Sequence, residues 1–74
     1  MLIDRLRAKR EEAGISQDEL SKMLGRTRTF VSKVELGERR LDILEFIHYA
    51  RALEIDPKEF FCQYVDDIDS AASN

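Results

Sequence analysis

Positions 26–40 read RTRTFVSKVELGERR and gather Arg26, Arg28, Lys33, Arg39 and Arg40 with the hydroxyls of Thr27, Thr29 and Ser32. If a helix turns Val31 and Val34 toward a core, Arg28, Thr29, Ser32 and Lys33 fall on its opposite side. They pair there at i,i+4 as Arg28/Ser32 and Thr29/Lys33. A short helix carrying guanidinium, hydroxyl and ammonium groups suits the DNA major groove, which admits a helix and is read by such groups. Arg26 precedes this face, and Arg39 and Arg40 follow Gly37 and leave it. All three are therefore expected at the sugar–phosphate backbone. The same residues also describe a solvated basic face with no ligand. The surroundings decide between the two.

Charge is unevenly spread. Residues 1–40 carry ten Lys/Arg against seven Asp/Glu, and residues 41–74 carry two against eight, which gives +3 and −6 and the total of −3. A low overall pI argues against a nucleic-acid ligand, and the local excess argues for one. Local charge carries more weight because exposed charges are screened beyond roughly 10 Å.

Other chemistries lack their residues. No acid/base pair or nucleophile constellation stands out, so no enzyme is expected. Cys62 and His48 are the sole cysteine and histidine, too few for a zinc site. No cofactor or metal is expected. Cys62 reads as a small apolar filler in a reducing cytosol, and His48 as a partly buried polar ring. No signal sequence opens the chain, and no apolar run approaches the ~20 residues of a membrane span. No membrane partner is expected, and the cytoplasm is the expected location.

The elements that must position the basic face are helices. Gly14, Gly25 and Gly37 each follow an apolar-periodic segment, as helix C-termini require. Ser16–Glu19, Asp42–Glu45 and Asp56–Glu59 have the spacing of capping boxes. Pro57 fits a first helical position, and Thr27 fits an N-cap. These marks predict five helices near 2–13, 17–24, 28–36, 43–53 and 57–66, and no sheet. Leu2, Leu6 and Ala13, then Leu20, Met23 and Leu24, then Val31 and Val34, then Leu44, Ile47, Ala50 and Leu53 are the predicted apolar stripes. Residues 1–66 form one domain in this reading, and 67–74 a flexible acidic tail.

Helices two and three, joined through Gly25, Arg26 and Thr27, have the spacing of a helix-turn-helix. GISQDELSKMLG, TRTFVSKVELGERR and LDILEFIHYARALEIDP together resemble the Cro and phage-repressor type of helix-turn-helix, the XRE family, over residues 5–61. The spacing from Ser16–Gln17 to Glu35–Leu36–Gly37 is the most specific part. The resemblance implies an all-α, compact five-helix lambda-repressor-like domain that binds double-stranded DNA. It implies that Gln17 bonds a phosphate, and that Thr27 both caps the recognition helix and touches phosphate. It implies that Arg28, Thr29, Ser32 and Lys33 hold the base-reading positions. It also implies a structural salt bridge between Arg10 and Glu35. Phe30 and Leu36 depart from the family pattern: Phe30 is expected either to pack beside Val34 or to lie against a sugar or thymine methyl, and Leu36 stands where a polar or basic group near phosphate is usual.

The expected function is a sequence-specific transcriptional regulator, a repressor or autoregulator. One short helix reads too few base pairs for specific affinity, so a homodimer on a palindromic site is expected. Phe60, Phe61, Tyr64 and Val65, with Ile68 beyond, supply more apolar surface than a small core needs. One helical set among them is expected at the dimer interface. The alternative is a protein-interaction module. This is either the antitoxin half of a toxin–antitoxin pair or a DNA-binding subunit of a larger complex, with a protein partner of unknown identity.

Overall fold

The computed structural model describes residues 1–72, and its helices are α1 (Leu2–Glu12), α2 (Gln17–Met23), α3 (Phe30–Glu35), α4 (Ile43–Ala52) and α5 (Pro57–Ala72). No strand occurs among the described residues. The all-α, five-helix class is the one expected.

Capping sets the helix starts. Ser16 Oγ accepts the Glu19 N–H at 3.0 Å and opens α2. Asp42 and Glu45 close a complete capping box: Asp42 Oδ1 accepts the Glu45 N–H at 2.7 Å, and Glu45 Oε1 accepts the Asp42 N–H at 3.0 Å. Asp56 accepts instead from Lys58, at 3.0 Å. At the far end of α4 no glycine marks the stop. Glu54 takes the left-handed conformation at φ +59°, and the Ile55 N–H returns to the Ala50 carbonyl at 2.9 Å. This satisfies carbonyls that the helix end would otherwise leave unpaired.

The core is Leu6, Leu20, Phe30, Val31, Val34, Phe46, Tyr49, Ala50 and Leu53. Three predicted stripes are corrected. On α4 the buried arc is Phe46, Tyr49, Ala50 and Leu53, an i, i+3, i+4, i+7 set. Leu44 is six residues from Ala50, on the far side, and is 60% exposed. On α2 the arc runs through Leu20 and Ser21, so Met23 falls off it and is exposed. Ala13, at the end of α1, is exposed as well. His48 and Cys62 are both exposed, against expectation, because each lies on a helix side away from Phe46 and Phe60.

The last helix is longer than predicted. Positions 67–72, expected as tail, continue α5. Arg5 Nη1 reaches Asp67 Oδ2 at 2.6 Å, and Gln63 Nε2 donates to Asp67 Oδ1 at 3.0 Å, one turn earlier. Residues 73 and 74 of the expected tail lie outside the described residues. α5 packs on α4 through Phe60 and Phe61, whose rings stand 6.2 and 6.1 Å from that of Phe46.

Candidate nucleic-acid interface

α2 and α3 form the helix-turn-helix, with α1 packed behind α3. The turn between them is longer than the sequence suggested. α3 begins at Phe30, and the Phe30 N–H donates to the Thr27 carbonyl at 3.0 Å. Thr27 is therefore not the cap of α3. The N-cap position is held by Thr29, whose side chain makes no capping bond. The cap comes from across the motif: the Val31 N–H donates to Ser21 Oγ at 3.1 Å, and Ser21 is fully buried. Sequence reasoning missed Ser21. Its one signal was a small hydroxyl residue beside Leu20, on the inner side of a short helix, where a buried hydroxyl needs a partner.

Buried Phe30, Val31 and Val34 anchor α3. Phe30 is core, the first of its two expected placements. Arg28, Thr29 and Lys33 are exposed, and Ser32 is half-buried. Arg28 and Thr29 lie in the turn rather than on the helix, and Ser32 Oγ donates to the Thr29 carbonyl at 2.9 Å. Arg28 Nε donates to Asp18 Oδ2 at 3.0 Å, with both side chains largely in solvent. Such an exposed pair is weak and readily exchanged for another anion or acceptor.

Behind α3, Arg10 and Glu35 meet. Arg10 Nε donates to Glu35 Oε2 at 2.7 Å and Nη2 to Oε1 at 3.1 Å, while Nη1 donates to the Ile15 carbonyl at 2.8 Å. The hydrogen bond to Glu35, against the opposing cost of burial, raises the Arg10 pKa above its already high ordinary value. Gln17 Nε2 also donates to Glu35 Oε1, at 2.8 Å. The amide that the resemblance assigned to phosphate is thus engaged inside the protein, where it ties the start of α2 to the end of α3.

The remaining arginines divide. Arg26 and Arg39 both reach Glu45, Arg26 Nη2 at 2.9 Å and Arg39 Nη2 at 2.5 Å from Oε2. Both also stack on the Phe30 ring, with Cζ 4.5 and 5.2 Å from its centroid. The Asp42 N–H and then Arg39 hold the Glu45 carboxyl below its ordinary pKa. Arg40 is exposed. Leu36, directly after Glu35, is 73% exposed, an apolar group beside the basic surface.

On α5 the aromatic residues separate into two sets. Phe60 and Tyr64 are half-buried, Phe60 against the core and Tyr64 under the Arg5 guanidinium at 5.1 Å. Phe61, Val65 and Ile68 face outward, 42%, 36% and 48% exposed. Phe61 also borders, with Met1, Leu2, Leu41 and Ile43, a surface groove of about 560 Å³.

A family model of helix-turn-helix domains matches residues 6–60. Among solved structures, the chain is similar to an XRE-family like protein from Pseudomonas syringae pv. tomato str. DC3000. The two are 45% identical, with a TM-score of 0.81, over 84% of this chain and 76% of that one. It is also similar to the restriction-modification controller protein C.AhdI from Aeromonas hydrophila, 36% identical with a TM-score of 0.71, over 80% of this chain and 89% of that one. A search of curated protein sequences finds no match. The chain belongs to the XRE-type helix-turn-helix family and is a DNA-binding transcriptional regulator. Among the described residues no helix is long and apolar enough to cross a membrane, and no group of His, Cys, Asp or Glu is placed to hold a metal ion.

Proposed function

We propose that this regulator acts in the cytoplasm as a homodimer on a palindromic operator, repressing or autoregulating transcription. The observation that carries the reading is the presence of two solvent-facing surfaces, one polar and basic, one apolar. One holds Arg28 and Thr29 in the turn before α3 and Ser32 and Lys33 on that helix. The other holds Phe61, Val65 and Ile68 on the outer side of α5. The first set reads base edges, and Arg26, Arg39 and Arg40 engage phosphates. The second set covers itself against the same surface of another copy. Two-fold symmetry then places recognition helices about 34 Å apart on successive major grooves.

The likeness to a restriction-modification controller favours one setting over the antitoxin alternative: control of a methylase and nuclease operon. A reading frame for either enzyme beside this one supports that setting, and a toxin-sized frame supports the other.

Selection of bound duplexes from a random pool tests the proposal. The expected product is an inverted repeat with half-sites one helical turn apart. A single half-site, or no enrichment, overturns it. Sedimentation of the free protein gives the second check: a dimer that Phe61→Glu dissociates is expected, and a wild-type chain that remains monomeric at all concentrations contradicts it.

A further inference from the structure

Glu45 sits in the first turn of α4, yet side chains from two different loops end on its carboxylate. Arg26, from the α2–α3 turn, donates Nη2 to Oε2 at 2.9 Å. Arg39, from the α3–α4 loop, donates Nη1 to Oε1 at 3.2 Å and Nη2 to Oε2 at 2.5 Å. Oε2 thus serves both guanidiniums, and the Phe30 ring supports both. Two like charges are held close enough for one anion to touch both. Without the carboxylate they would repel each other and spread over many rotamers.

The carboxylate itself is fixed. Glu45 Oε1 accepts the Asp42 N–H at 3.0 Å. Its side chain is 16% exposed, against 41% for Arg26 and 39% for Arg39. The acid therefore lies beneath the two bases, and the bases meet the solvent. The three groups sum to +1. Arg26 Nε and Nη1 have no hydrogen-bond partner among the described residues, so donors remain for a ligand.

We propose that Glu45 is a positioning residue that joins Arg26 and Arg39 into one clamp for a single backbone phosphate. The proposal rests on the DNA reading above and adds the residue that builds the clamp. It has an unusual sign. A carboxylate near DNA repels phosphate, so plain electrostatics requires that neutralising Glu45 tighten binding. A positioning role requires that neutralising it weaken binding.

Glu45→Gln is the suitable variant, because glutamine serves at the third position of a capping box as glutamate does. Its affinity for a duplex bound by the wild type is measured by fluorescence anisotropy across a salt series. Binding is expected to fall roughly tenfold, the scale of a lost charge-assisted hydrogen bond. The salt slope should become shallower by about 1 per protomer, as for one lost phosphate contact. In an Arg26→Ala/Arg39→Ala background the same change should cause no further loss. Arg39→Lys keeps the charge but not the fork onto Glu45, and should weaken binding as much as Arg39→Ala. Binding by Glu45→Gln equal to or tighter than wild type, or Arg39→Lys behaving as wild type, overturns the proposal. If Glu45→Gln proves unfolded by circular dichroism, the Arg39→Lys comparison decides alone. A wild type that binds no duplex defeats the DNA reading itself. That outcome is distinct from an active wild type beside an equally active Glu45→Gln.

Discussion

The Arg10 guanidinium crosses from α1 to the end of α3 and forks onto Glu35, with contacts of 2.7 and 3.1 Å and side chains only 11% and 3% exposed. With its chain-mate Gln17 it fixes α1, α2 and α3 to one carboxylate. Removing Glu35 strands a guanidinium and an amide in a nearly dry site. Glu35→Ala should therefore cost about 3 kcal/mol in urea unfolding. Arg10→Ala combined with Glu35→Ala should cost less than the two single losses added together. Additive losses would show that the two side chains do not act as a unit.

Ser21 is the side chain that closes the N-terminus of α3, since its buried hydroxyl accepts the Val31 N–H. Ser21→Ala leaves that N–H buried without an acceptor and should cost about 1–3 kcal/mol. Thr27→Ala, at an exposed residue with no capping bond, should stay within about 0.5 kcal/mol. Denaturant midpoints of the two variants check the order, and the reverse order would return the cap to Thr27.

Tyr49 is fully buried, and its hydroxyl has no hydrogen-bond partner within the described protein. Burial, aided by Glu35, pushes its pKa far above the ordinary value of 10.0. The folded state therefore keeps a proton that the unfolded state releases above pH 10, and stability must fall as pH rises past that point. Tyr49→Phe removes both effects. It should raise stability at neutral pH by about 1 kcal/mol, because an uncompensated hydroxyl leaves the interior. It should also flatten the alkaline loss of stability. Thermal melts at pH 7 and above pH 10 test both statements, and a Tyr49→Phe protein less stable than wild type at pH 7 refutes the first.

Two carboxylates contribute to the acid behaviour. The Asp42 N–H and Arg39 lower the Glu45 pKa from 4.5, and Arg5 and Gln63 lower that of Asp67 from 3.8. Below these ordinary values the unfolded chain takes up protons that the folded chain still refuses. Stability present above pH 4.5 is thus lost as pH falls through the lowered values. Asp67→Asn should reduce the steepness of the acid transition followed by circular dichroism, and Arg5→Ala should do the same by releasing the partner.

Much of this was legible in the sequence, for local reasons. Gly14, Gly25 and Gly37 all sit at positive φ, and Ser16 and Asp42 both cap helices, since each of these signals acts within a few residues. The Arg10–Glu35 contact spans 25 positions, and the family resemblance alone pointed to it. What escaped was set by packing between elements. The α4 stripe runs through Phe46 and Tyr49 rather than Leu44, because these two rings carry the larger apolar area. The start of α3 moved two residues because its cap lies on α2. Gln17 meets Glu35, and Arg26 and Arg39 meet Glu45, only through the packing of separate helices and loops. In a sequence, a basic residue near a helix-turn-helix does not disclose which carboxylate holds it.

Arg28 stands at the entrance to α3, held by an exposed pair with Asp18. Arg40 lies beyond the helix, exposed, in the loop that leads to α4. On the proposed reading Arg28 meets a base edge, where arginine binds guanine in a bidentate manner, and Arg40 meets a phosphate. Arg28→Ala should then cost about 1–3 kcal/mol on the selected operator, cost less on a scrambled duplex, and relax preference at one base position of each half-site. Arg40→Ala should weaken both duplexes alike and flatten the salt dependence by a slope of about 1 per protomer. Titration of each variant against both duplexes across a salt series separates the two patterns. Equal losses on both duplexes for Arg28→Ala, with altered sequence preference for Arg40→Ala, would exchange the roles. Unchanged binding for both would reduce the segment to a solvated basic face.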